Sequence, residues 1–120
     1  MHIQQLTFNA FQTRCCVVWD DAGFCAFIDP GCASPSEISK ITDLVRERGL
    51  KPVCIMLTHA HFDHILGNYS VAKKYDIPLA SHPDGEEYFK NAHSYALSFG
   101  MDYDKNKTLY ANYPQTGAPI

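Results

Sequence analysis

In the stretch L-T-H-A-H-F-D-H-I-L-G, Leu57 to Gly67, three of the chain's six histidines and one aspartate fall within six residues, directly after an apolar run. His59 and His61 stand two apart. On an extended or turning backbone both can point into one pocket while Ala60 points away. Two neutral imidazoles suit zinc, iron or manganese. Asp63 and His64 follow, and on the first turn of a helix they would face differently from the first pair. The pattern therefore reads as two half-sites: His59 and His61 on one metal, Asp63 and His64 on a second, with Ala60 and Phe62 as spacers. The competing reading is a polar loop that merely carries histidines. Three imidazoles so close would repel one another when protonated and need partners when buried. A metal removes both problems.

The elements that must position this cluster carry their own signals. Ile3–Phe8 alternates weakly, and Arg14–Trp19 and Phe24–Ile28 are β-rich runs separated by D-D-A-G, a hairpin turn signal. Asp29-Pro30-Gly31 stops the third strand. Ser34-Pro35-Ser36-Glu37 is a capping box with proline at the first helical position. Ile38, Ile41, Leu44 and Val45 recur at helical spacing, Arg46 and Arg48 fall in the last turn, and Gly49 supplies the stop. Pro52–Leu57 is short and nearly all apolar, as expected of a strand buried on both faces of an α/β sheet. Beyond the histidines the pattern predicts a helix over Ile65–Tyr75, a strand over Ile77–Ser81 and a third helix over Pro83–Phe99, ended by Gly100. The order β-β-β-α-β-α-β-α implies a mixed sheet with helices packed on it. The cluster falls at the carboxyl end of an inner strand, where sites in α/β sheets gather.

Composition bounds the rest. The chain has 120 residues, at most one domain, and its 46% hydrophobic and 19% charged residues suit a globular, soluble protein. Net charge is −3 with no basic run, which argues against a nucleic-acid or anionic-membrane partner. No apolar segment approaches the roughly 20 residues that span a bilayer. M-H-I-Q-Q-L-T-F has neither a basic nor an apolar leader region, so a cytoplasmic location is expected. The five cysteines, Cys15, Cys16, Cys25, Cys32 and Cys54, include no C-x-x-C pair and are expected to be reduced. Cys32, in the turn D-P-G-C, is expected to be partly exposed yet structural, because no basic neighbour lowers its pKa.

T-H-A-H-F-D-H resembles the T-H-x-H-x-D-H signature of the metallo-β-lactamase fold hydrolases. F-N-A-F-Q near the N-terminus resembles the F-N-P-F-Q of their glyoxalase-II-like branch (hydroxyacylglutathione hydrolases). F-I-D-P-G, I-M-L-T-H and Y-D-I-P-L-A-S-H resemble that family's flanking strands and turns. Thr13-Arg14-Cys15-Cys16 departs from the E-N-T-Y common in relatives, beside the ligands rather than among them. The resemblance implies an α/β (α+β) fold of the αββα sandwich type, with residues 1–120 forming its N-terminal half: a mixed β-sheet with helices packed on it. It also implies a dinuclear hydrolase, with two divalent ions in the full domain, zinc foremost and iron or manganese as alternatives. By carry-over, His59 and His61 would bind the first metal and Asp63 and His64 the second. Asp63 would also orient a hydroxide bridging the two ions, the nucleophile toward a thioester or other activated acyl bond of a small-molecule substrate. Asp29 is the candidate supporting group behind the ligand loop, with a plain turn role as the equal alternative.

The same resemblance implies ligands this chain lacks: a third histidine for the first metal, a bridging aspartate and a last histidine, usually behind a G-H-T-x-G motif absent here. His82 and His93 do not stand at those positions. The chain alone is therefore expected not to close two metal shells. Its sheet face toward the missing half is expected to be apolar and exposed, inviting a homodimer. Two other function classes stay open: a mononuclear iron oxidoreductase of the persulfide-dioxygenase type, and a non-catalytic fragment.

Overall fold

The computed structural model describes residues 1–58 and 66–80. The elements run β1 His2–Phe8, β2 Thr13–Trp19, β3 Phe24–Ile28, α1 Pro35–Arg48, β4 Lys51–Met56, α2 Asn68–Tyr75 and β5 Leu79–Ala80. They form one five-stranded sheet in the order β1-β2-β3-β4-β5. β1, β2 and β3 pair antiparallel as a meander, and β4 and β5 continue in parallel. This is the mixed α/β sheet the sequence predicts. The third helix expected over Pro83–Phe99 and the histidines His82 and His93 lie outside the described residues.

Local chemistry sets the turns. Between β2 and β3 the Asp20 carboxylate accepts from the backbone N–H groups of Ala22 and Phe24, both at 3.0 Å, and Gly23 takes φ +91°. Between β1 and β2, Asn9 and Gln12 both sit in the left-handed region, and Asn9 Oδ1 accepts from the Phe11 N–H at 2.8 Å. α1 starts at the predicted cap, with the Glu37 N–H donating to Ser34 Oγ at 3.3 Å, while the Glu37 carboxylate accepts from Ala33 and Asn9 instead of closing the box on the Ser34 N–H. It ends at Gly49, left-handed at φ 62°, whose N–H meets the Arg46 and Val45 carbonyls.

Register shows how the sheet is covered. Val17, Phe27, Ile55 and Leu79 lie side by side across β2, β3, β4 and β5, and all four are fully buried. They join Ile41 and Val45 of α1 and Val71 and Ala72 of α2 in one core, so both helices pack on this face. Each such large side chain stabilises the fold by about 1.5–3 kcal/mol. The next row, Cys16, Ile28, Met56 and Ala80, points to the opposite face and is only half-buried. β4 is therefore not buried on both faces as expected. Of its residues only Ile55 is buried, and Val53 is 45% exposed. No helix among the described residues is long and apolar enough to cross a membrane.

Candidate metal centre

The four candidate ligands His59, His61, Asp63 and His64 lie outside the described residues. Both ends of the connection that carries them are described, and both are fastened to the same turn. At the entrance stands Thr58, just past β4. Asp29 accepts its backbone N–H at 2.8 Å on Oδ1 and its hydroxyl on Oδ2. Asp29 is 5% exposed and adopts φ +56°, a left-handed conformation that aspartate tolerates better than most residues. Its own N–H donates to the Met56 carbonyl at 3.0 Å, which closes the parallel β3–β4 pair beneath it. Asp29 is thus the turn residue, and its carboxylate holds Thr58, the residue that precedes His59 in the chain.

At the exit, the Gly67 N–H donates to the Pro30 carbonyl at 2.8 Å. A Cβ on Gly67 would lie 2.1 Å from Cys32 Sγ and 2.6 Å from the Pro30 oxygen, so only glycine fits. α2 accordingly begins at Asn68, three residues later than the Ile65 start expected from apolar spacing. The turn Asp29–Cys32 thus clamps residue 58 at one end and residue 67 at the other.

That turn is held in its own right. Glu37 Oε1 accepts the Ala33 N–H and Oε2 accepts the Asn9 N–H, each at 2.7 Å. Asn9 Nδ2 donates to the Gly31 carbonyl at 2.9 Å. Glu37 therefore ties the N-terminus of α1, the β1–β2 turn and the clamp together. Cys32 is 1% exposed, not partly exposed as expected, and burial pushes its thiol up to about 12. Burial also raises Cys15, with Cys32, Cys16 and Asp29 adding to the effect. Burial thus keeps both thiols in the protonated form at neutral pH, so neither is an activated nucleophile.

Among the described residues no three His, Cys, Asp or Glu side chains form a metal-binding group. Beside the exit clamp, Asn68 is 1% exposed and neither amide atom has a hydrogen-bond partner among the described residues. Sequence reasoning missed Asn68 and the clamping roles of Gly67, Glu37 and Asn9. The available signal was a glycine placed directly between the ligand cluster and a helix.

Comparison with known proteins places the fold. The profile of the metallo-beta-lactamase superfamily matches residues 8–114, and the chain belongs to that superfamily. It is 41% identical over 68 residues to the probable metallo-hydrolase YqgX of Bacillus subtilis (strain 168), covering 57% of this chain and 30% of that protein. It is 26% identical over 102 residues to the hydroxyacylglutathione hydrolase GloC of Haemophilus influenzae, covering 84% of this chain and 46% of the relative. The crystal structure of TTHA1623 in a di-iron-bound form superposes with a TM-score of 0.74 at 27% identity, covering 98% of this chain and 53% of the other. The chain thus spans about a third to a half of each of these proteins.

Proposed function

We propose that this chain is the metal-binding half of a hydrolase that cleaves a thioester or another activated acyl bond in a small-molecule substrate. The observation that carries the reading is the double clamp. One buried turn fixes Thr58 and Gly67, and the T-H-A-H-F-D-H ligands lie between them. The hydroxyacylglutathione hydrolase relative supports an acyl thioester as the substrate class.

In this reading His59 and His61 hold one divalent ion and Asp63 and His64 contribute to a second. When bound, such ions acidify water to near-neutral pKa and polarise the acyl oxygen. Zinc suits this donor set, and the di-iron relative makes iron the second choice. Asp29 acts from behind: by holding the N–H and hydroxyl of Thr58 it fixes the backbone that leads into His59. The remaining ligands come from a second sheet packed on the face that α1 and α2 leave open. For the 120-residue chain we propose a second copy as the occupant, because Ile3, Cys16, Val18, Ile28, Cys54 and Met56 make that face apolar and incompletely buried.

The test is hydrolysis of a short panel of acyl thioesters, S-lactoylglutathione among them, by zinc-loaded and iron-loaded protein. Turnover that is abolished by His59→Ala supports the reading. Turnover that is indifferent to His59→Ala, or zinc binding that is unchanged by it, contradicts it.

A further inference from the structure

The two bonds of the clamp share a chain of contacts. The Pro30 oxygen accepts from Gly67, and the N–H on the same peptide plane, that of Gly31, donates to the Asp29 carbonyl at 2.8 Å. The next peptide carries the Gly31 oxygen, which accepts from Asn9 Nδ2 at 2.9 Å. Planar peptides and the fixed φ of Pro30 make this turn stiff. A shift at Gly31 is therefore carried to the Pro30 oxygen, which meets Gly67, and to Asp29, which holds Thr58 through both carboxylate oxygens.

Asn9 reaches this turn from the β1–β2 connection. Its backbone is left-handed at φ 55°, its N–H donates to Glu37 Oε2 at 2.7 Å, and its Oδ1 accepts the Phe11 N–H at 2.8 Å. The other Glu37 oxygen accepts the N–H of Ala33, directly after Cys32, also at 2.7 Å. One carboxylate thus joins the β1–β2 turn to the far end of the clamp turn, and hydrogen bonds to a carboxylate are among the stronger ones. The bonds of Asn9 and Glu37 end on Gly31 and Ala33, whereas those of Gly67 and Thr58 end on Pro30 and Asp29. We propose that the β1–β2 turn is a strap on the clamp: through Asn9 and Glu37 it closes the turn Asp29–Cys32 onto Thr58 and Gly67, and strap and clamp open together as one unit. Such units, smaller than the whole fold, open at a lower free energy than global unfolding. The inference is independent of the metal-binding reading and is tested on metal-free protein.

The experiment is amide hydrogen exchange by NMR on the 120-residue chain and on the variants Glu37→Gln and Asn9→Gly. Glutamine keeps one acceptor of Glu37. Glycine tolerates the left-handed φ of Asn9 and removes its carboxamide. Expected in each variant is exchange about 10-fold or more faster at Thr58 and Gly67 together. The Ile55 amide, bonded to the Pro78 carbonyl, reports opening of the sheet and should speed up by less. Acceleration at Thr58 and Gly67 no greater than at Ile55 overturns the inference, since it would mark a uniform loss of stability. Acceleration at only one of the two amides also overturns it, because the clamp would then not open as a unit. Should either variant fail to fold, wild type decides alone. In rising, sub-denaturing urea the Asn9, Thr58 and Gly67 amides should follow one opening curve, below that of Ile55. Separate curves for the three would overturn the proposal.

Discussion

Asp29 spends a left-handed backbone conformation and a buried carboxylate on two hydrogen bonds to Thr58. Asp29→Ala removes both acceptors and strains the backbone at φ +56°, where alanine is disfavoured. We expect it to lower stability by about 1–3 kcal/mol and zinc affinity about 10–100-fold, measured by denaturant titration and chelator competition. Asp29→Asn keeps one acceptor and a residue tolerant of that φ, so it should lose less of both. The thiols give a pH prediction. Cys32 is held at about 12 by burial, against an ordinary thiol value of 9.0. Its neutral form stabilises the fold fully below that ordinary value, and the contribution is lost as pH rises from there through the folded value. Melting temperature should therefore fall between pH 9 and 11, and fall less steeply in Cys32→Ala. An equal slope in both proteins would exclude Cys32 as a source.

At the scale of elements the clamp is the decisive feature. Gly67→Ala would press a methyl group into both Cys32 Sγ and the Pro30 carbonyl. Overpacking against backbone predicts a loss of about 1–3 kcal/mol in chemical denaturation. Adding Cys32→Ala should rescue only part of it, because the carbonyl contact at 2.6 Å remains. Full rescue would show that the sulfur alone sets the constraint. Much of this scale was legible in the sequence. Ser34, Pro35, Glu37 and Gly49 mark α1 because caps are local chemistry, and D-D-A-G marks the β2–β3 turn for the same reason. The start of α2 at Asn68 was not, because the bond that fixes the residue before it reaches from Gly67 back to Pro30. Asn9 was readable only as part of a motif, since its partners Glu37 and Gly31 lie 28 and 22 residues away. Asn68 looked like an ordinary polar helix residue, and its burial follows from packing that no local pattern encodes. The run Pro52–Leu57 misled in the opposite direction: its apolar residues suggested a strand covered on both faces, yet Val53 is 45% exposed.

Among the described residues the sheet carries α1 and α2 on one face and a half-buried apolar row on the other. That asymmetry predicts association of the 120-residue chain. Sedimentation equilibrium should give a dimer mass, and Ile28→Lys, which puts a charge on the open face, should shift it to monomer. A wild-type monomer would remove the second-copy proposal and leave the second sheet to a longer chain. The claim on which the rest depends is that the connection between Thr58 and Gly67 holds a divalent ion through His59 and His61. The most direct measurement is elemental analysis of wild-type chain and the His59→Ala/His61→Ala variant, each stripped, reloaded with zinc and desalted. The account predicts zinc retained near one equivalent per wild-type chain and lost from the variant. Equal retention in both, or none in either, would contradict it.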